Sequence, residues 1–164
     1  ERYRTDDNGQ PHMKYNSETG TWELLPNIEY TVNGYTYETN EKGQIIRVYG
    51  KIHMKEHEGR KPLNDDVPNV QEGDDRGHLI ADQFDGSNRL DNLVPMDMHL
   101  NRGAYKKMED DISKAKAEGK EVDIDIEVKY DDSGRPTEFL VKVTIDGETE
   151  IHVFNNESQG GNQN

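Results

Sequence analysis

The sequence predicts an α+β fold in which antiparallel meanders frame an inserted loop and a helix. Three observations carry this. Apolar and polar residues alternate in two separate stretches, 28–54 and 122–153, at the two-residue period of half-buried strands. Turn signals fall between the alternating runs. The segment between the two stretches has no strand period and passes into helical spacing. Patterning matters because the composition is poor in core residues: Leu, Ile, Val and Phe supply 31 of 164 residues and the net charge is -14, which borders on the disordered regime.

The first dozen residues are polar, so 1–20 is expected to be a flexible lead, 21–154 the folded domain and 155–164 a disordered tail. Ile28, Tyr30 and Val32 alternate, Asn33-Gly34 turns, and Tyr35 and Tyr37 resume the pattern as a hairpin. After a turn at Asn40 to Gly43, a third strand is expected from Ile45 to Met54. Residues 55–75 carry Gly, Pro, Asn and Asp without a period, a length that points to a functional loop. From Leu100 to Gly119 the residues Ala104, Tyr105, Met108, Ile112 and Ala115 recur at helical spacing, with Gly119 as the stop. A second meander comes next: Val122 to Val128, a turn at Asp131 to Gly134, Phe139 to Ile145, a turn at Asp146-Gly147, then Ile151 and Val153.

Several function classes are excluded. There is no cysteine, hence no disulfide, thiolate metal site or cysteine nucleophile, and no apolar run is long enough to span a membrane as a helix. The chain opens at Glu1 rather than Met, so it is expected to be a segment of a longer protein with no signal peptide of its own. Net charge argues against holding nucleic acid by bulk attraction. The charge is nonetheless uneven: 76–107 holds five Lys/Arg against four Asp/Glu, and 121–150 holds three against ten. An anionic substrate is therefore tolerated around Arg76, Arg89, Arg102, Lys106 and Lys107.

Chemistry concentrates in Asp75-Arg76-Gly77-His78, where a carboxylate, a guanidinium and an imidazole lie within four residues. An imidazole of pKa about 6.5 can take a proton from water at neutral pH, and an arginine beside it can hold a phosphate. The tetrapeptide equally suits a buried structural histidine beside a surface ion pair. The residues C-terminal to it change the balance. "DRGHLIA", "NLVPM" and "LNRGAYKKME" stand in order over about 35 residues. Together they resemble the DNA/RNA non-specific endonucleases of the ββα-metal class, nearest to the C-terminal toxin domains of bacterial secreted proteins, of the type VII kind.

That resemblance implies a ββα-metal motif set into the meanders as loop, DRGH strand and metal-bearing helix. It implies His78 as general base, with Asp75 and Arg76 completing the catalytic set. Asn101 would ligate one divalent cation, and Glu109 would support its water shell. Asn92, and more weakly Asn88, would align phosphate or histidine, and Arg60 in the upstream loop would touch phosphate. Arg89, Arg102 and Lys106 are further candidates for substrate binding. The cofactor implied is Mg²⁺, with Mn²⁺ as a substitute.

The residues make physical sense on their own terms. Asn101, Tyr105 and Glu109 are four apart, so on one helix they share a face at successive offsets of about 40°. An amide oxygen with water for company suits a hard, hydrated cation and makes a poor zinc site. Asn101 would equally serve as a helix cap, and Glu109 as a solvated helix residue. His53 and His57 have the spacing of a metal pair without cysteine or helix to support it. His99 reads as a packing or substrate-edge residue rather than a ligand, and His12 and His152 carry no signal. Trp22 and the tyrosines at 30, 35, 37 and 49 could stack bases, although alternating tyrosines are more often sheet residues.

The expected function is thus a metal-dependent, sequence-non-specific endonuclease acting on DNA or RNA, the toxic domain of a secreted bacterial toxin. Such a domain would be secreted or delivered into a target cell and act in its cytoplasm. A cognate immunity protein is implied, most simply one presenting carboxylates to the five cationic residues. The alternatives are a catalytically silent nucleic-acid or partner-binding module on the same scaffold, and an acidic structural domain.

Overall fold

The computed structural model describes residues 1–56 and 65–158. Three antiparallel sheets and two consecutive helices build it. β1 (Tyr3–Thr5), β2 (Pro11–Asn16) and β3 (Thr21–Leu24) form a small N-terminal sheet. β4 (Glu29–Val32), β5 (Tyr35–Thr39) and β6 (Ile45–Lys51) make the first predicted meander, and β9 (Val122–Tyr130), β10 (Pro136–Ile145) and β11 (Glu148–Asn155) the second. The two meanders join through β6 and β9 into one sheet of six strands, ordered β11-β10-β9-β6-β5-β4. Between them in sequence lie β7 (Asp74–His78), β8 (Leu93–Asp97), α1 (Met98–Arg102) and α2 (Ala104–Ala117). The α+β expectation holds, with the motif inserted where the period was lost.

Alternation decides which side is buried. Ile124, Ile126 and Val128 of β9 and Phe139, Val141 and Val143 of β10 face the core, while Asp123, Asp125 and Lys142 face solvent. α2 covers the apolar face with Tyr105, Met108, Ile112 and Ala115, and the Tyr105 ring packs against Phe139 and Phe154 at 6.1 and 5.3 Å between centroids. The β7–β8 hairpin is fastened to the large sheet by buried polar groups. Arg135 grips Asp74 with two hydrogen bonds of 2.8 and 2.6 Å, and the Asn156 amide bonds Asp97 N, Pro95 O and Pro136 O.

Three boundaries depart from the sequence reading. Residues 1–20 are not a flexible lead: they form β1 and β2, and buried Met13 joins Val67, Leu90 and Leu93 in a small second core. Segment 155–158 is not a loose tail either, because Asn156 is fully buried and satisfied; 159–164 lie outside the described residues. Single-residue polarity misled in both places, since the polar groups there are spent on internal hydrogen bonds. The helix expected from 100 to 119 is broken at Gly103, whose φ and ψ of -113° and -105° are not helical. A Cβ at Gly103 would sit 2.5 Å from His99 O, so the sharp junction requires glycine.

Candidate active site

β7 places His78 at its C-terminal end, paired across the hairpin with Leu93. Gly77 lets the strands close up, for a Cβ there would lie 2.7 Å from the Met96 Cβ. The His78 Nε2 meets the Asn88 side-chain oxygen. The Asn88 amide nitrogen donates to Asp82 Oδ1 at 3.1 Å, and Lys55 Nζ reaches the same oxygen at 3.2 Å. Asp82 accepts, so Asn88 turns its nitrogen there and its oxygen toward the histidine. Nε2 must then carry the hydrogen, and the proton-accepting lone pair of the neutral ring lies on Nδ1.

Asn101 and Glu109 arrive from different helices. α1 is capped by Asp97, which accepts from Leu100 N at 3.1 Å, so Asn101 is not the cap and sits within the helix. Its amide nitrogen donates 2.9 Å to Asp75, and an ionised carboxylate can only accept, which leaves the amide oxygen uncommitted among the described residues. Burial pushes the Asp75 carboxyl up, but hydrogen bonds from Arg102 and Asn101 outweigh it and hold the pKa below the usual range. Burial pushes the half-buried Glu109 carboxyl up to about 7 against the attraction of Lys106, with Asp110 adding to the rise. Tyr105, expected on the same face, is instead fully buried and donates to Leu79 O at 2.7 Å.

One open cleft of about 510 Å³ gathers His78, Asp82, Asn101, Arg102, Lys106 and Glu109, with Ala81 and Gln83. A hollow of about 550 Å³ beside Trp22, Leu24, Val67 and Tyr130 contains no histidine and is a separate feature. Among the described residues no three His, Asp or Glu side chains are grouped to hold a metal. With Asp82 Oδ1 taken up by Asn88 and Lys55, the cleft offers the uncommitted Asn101 amide oxygen and the Glu109 carboxylate as hard donors. Such a sparse set of hard donors fits a cation that keeps most of its water, as Mg²⁺ does, and does not fit zinc.

The remaining expected residues divide clearly. Arg102 and Lys106 line the cleft, Arg102 held by two bonds to Asp75 of 3.0 and 2.7 Å and Lys106 paired with Asp110 at 2.8 Å. Asp75 does not line it and acts by holding Asn101 and Arg102. Arg76 is exposed and donates to Asp65 O at 3.2 Å, away from the cleft lining; Arg89 is likewise exposed and adjoins Asp65. Asn92 cannot touch substrate as expected: it is fully buried, accepts from Tyr37 Oη and Ile80 N, and donates to Ile80 O and Ser87 O. It clamps the loop that carries Asn88. Arg60 and His57 lie outside the described residues, and His53 bonds Asn33 O at 2.8 Å.

Sequence reasoning missed what holds this loop. Tyr30, Tyr35 and Tyr37 are buried, not base-stacking, and their hydroxyls bond Asp91 O, Phe84 O and Asn92 Oδ1 at 2.7, 2.7 and 2.8 Å. His12, assigned no role, is buried and bonds Asp91 Oδ2 at 2.9 Å. The tyrosine spacing was visible in the sequence, but its target was not. Asp82 and Lys55 also went unnoticed, because nothing in their local sequence marks them as supports of Asn88.

Comparison with known proteins bears on the family and the fold. The pattern of the family described as DNA/RNA non-specific endonuclease matches residues 26–147. The Type VII secretion system protein EssD of Staphylococcus aureus strain USA300 is 38% identical over 140 residues, covering 79% of this chain and 23% of the relative, and EssD of strain NCTC 8325 / PS 47 matches to the same extent. The chain therefore spans less than a quarter of the length of these relatives. The crystal structure of NucA from Streptococcus agalactiae with magnesium ion bound superposes with a TM-score of 0.62 at 14% identity, over 89% of this chain and 83% of that one. The same protein with no metal bound gives 0.61 at 15%. At such identities the likeness is one of fold.

Proposed function

The chain belongs to the DNA/RNA non-specific endonuclease family, and from that premise we propose that it hydrolyses DNA or RNA phosphodiester bonds in a Mg²⁺-dependent reaction with little sequence preference. The observation that carries this reading is the meeting of His78 from β7, Asn101 from α1 and Glu109 from α2 in one cleft. His78 Nδ1 takes the proton from the attacking water while Asn88 holds Nε2–H and so fixes ring and tautomer. Asp75 keeps the Asn101 oxygen and the Arg102 guanidinium aimed from α1. Arg102 and Lys106 give the rim positive charge against which phosphates can rest. Asn101 and Glu109 would hold the cation, which when bound supplies charge against the negative charge that develops on the phosphate. Mn²⁺, with a similar taste for oxygen ligands, is expected to substitute.

Likeness to EssD supports placing the domain in a secreted toxin that acts inside a target cell, which in turn requires an immunity protein in the producer. Supercoiled plasmid incubated with the chain should be nicked with Mg²⁺ and spared with EDTA. His78→Ala should lower the rate by about 10²–10⁴ with the far-UV spectrum unchanged. Undiminished nicking by a folded His78→Ala chain would remove the histidine from the mechanism, and nicking in EDTA would remove the metal.

A further inference from the structure

The six-stranded sheet treats its two edges differently. At β4 the outer edge is covered: Asp7 N donates to Thr31 O at 2.8 Å, the Asp6 carboxylate accepts from Thr31 N at 2.9 Å, and the Asp7 carboxylate accepts from Asn33 N and Gly34 N at 3.1 Å each. The other edge, β11, has no neighbour beyond it among the described residues. It is also the longer, eight residues against four, and pairs with β10 without a bulge from Glu148 to Asn155. Edge strands are usually blunted by proline, lysine, a bulge or shortness. β11 has none of these, and half of its backbone N–H and C=O groups point outward with no backbone partner among the described residues.

Its solvent face is apolar as well. Ile151 and Val153 are 62% and 60% exposed, on the side opposite Phe154 and α2. The next charged rows are neutralised within the sheet, Arg47 by Asp125 at 2.8 Å and Lys129 by Glu138 at 3.1 Å. Around β11 acidic groups outnumber basic ones: the strand and its flanks carry Asp146, Glu148, Glu150 and Glu157, with His152 3.6 Å from Glu150, and the one lysine beside the strand is Lys142, across from Ile151 on β10. A strand that fits must therefore satisfy an open ladder, cover two β-branched side chains and bring positive charge. A second copy of the chain, itself at -14, lacks that charge.

We propose that β11 is a docking edge that accepts, by strand addition, a strand of a partner protein in which β-branched apolar residues alternate with Lys or Arg. The surface is distinct from the catalytic cleft, so the test does not depend on the endonuclease reading. The probe is an eight-residue peptide of alternating Lys and Val added to the full chain, with amide shifts and hydrogen exchange as readouts. Shifts and new protection should concentrate in 148–155. Methylating one alternate set of peptide N–H groups should abolish binding and methylating the other should not, because an added strand donates from only one edge. The variant Ile151→Thr with Val153→Thr should bind about tenfold more weakly, with the far-UV spectrum unchanged. Indifference to both methylations would reduce the effect to charge attraction and overturn the proposal, as would protection confined to other segments. Self-association of the free chain that the threonine variant abolishes would make the occupant a second copy and overturn it equally.

Discussion

His78 is only as useful as its orientation, and the Asn88 amide helps to set it. Asn88 accepts from Nε2 and is itself held by Asp82, so Asn88→Ala removes this hold on the tautomer and ring angle of the imidazole. The expected loss is on the order of 10²-fold in kcat with KM little changed; a KM effect alone would make Asn88 a substrate contact. Glu109 is a second residue whose setting conflicts with stability. Its folded pKa of about 7 lies above the ordinary 4.5, so in metal-free protein ionisation costs stability increasingly from pH 4.5 to 7 and fully above that. Glu109→Gln should accordingly raise Tm at pH 8 in EDTA, leave it nearly unchanged at pH 4, and impair cleavage with Mg²⁺. A lower Tm at pH 8 would mean the carboxylate is stabilised in ways the fold does not account for.

At the scale of elements, the site depends on close approach of β7 to β8 and on the sharp turn between α1 and α2. Gly77→Ala presses a methyl group into Met96 at 2.7 Å, within a hairpin pinned on its other side by Arg135 and Asp74. We expect a loss of about 1–3 kcal/mol by chemical denaturation, with cleavage falling in proportion to any displacement of His78. Unaltered stability would show that Met96 can retreat freely. The tyrosines of β4 and β5 act across a longer distance: their rings are core and their hydroxyls hold loop 84–92, so removing one hydroxyl leaves a buried acceptor short of a partner. Tyr37→Phe should cost about 1–3 kcal/mol and loosen Asn92; hydrogen exchange at Ile80 N, which shares the same oxygen, reads that loosening.

For the whole molecule, the N-terminal sheet is held on by carboxylates and is therefore acid-labile. Burial pushes Asp6 and Asp65 up, but backbone N–H bonds from Thr31, Gln10 and Asn8 to the first, and bonds from Arg4 and Leu90 N to the second, bring both below 3.8. A depressed acid pKa means stability that is present above about 3.8 and lost as pH falls through the lower folded values. Trp22, the chain's one tryptophan, lies in this sheet with the Arg4 guanidinium 4.1 Å from its ring centroid, so its fluorescence reports docking. Its emission should shift to the red as acid is added, before the far-UV signal of the large sheet is lost. Asp65→Asn should bring that shift to higher pH. Simultaneous loss of both signals would mean the sheet and the body unfold as one unit.

The sequence alone determined the parts of this protein that local physics controls. Alternation at 28–48 and 122–153 requires half-buried strands and Asn33-Gly34 a tight turn, whereas the roles proposed for His78, Asn101 and Glu109 rest on the resemblance of their motifs to a family. Tertiary structure decided what depends on groups far apart in the chain. The Asp82 and Asn88 pair that fixes the His78 tautomer, the Asp75 contact that turns Asn101, and the tyrosine hydroxyls that pin loop 84–92 join segments up to 61 residues apart. Hydrogen bonds of that kind leave no periodic trace, which is why Asn92 read as a substrate ligand when it is a buried clamp, and 1–20 as loose when its carboxylates and His12 hold it down. The same is true of the edges of the large sheet. β4 and β11 are both alternating strands in the sequence, and only the fold lays Asp6 and Asp7 along one and leaves the other without a neighbour among the described residues, because an edge exists only once the sheet is assembled.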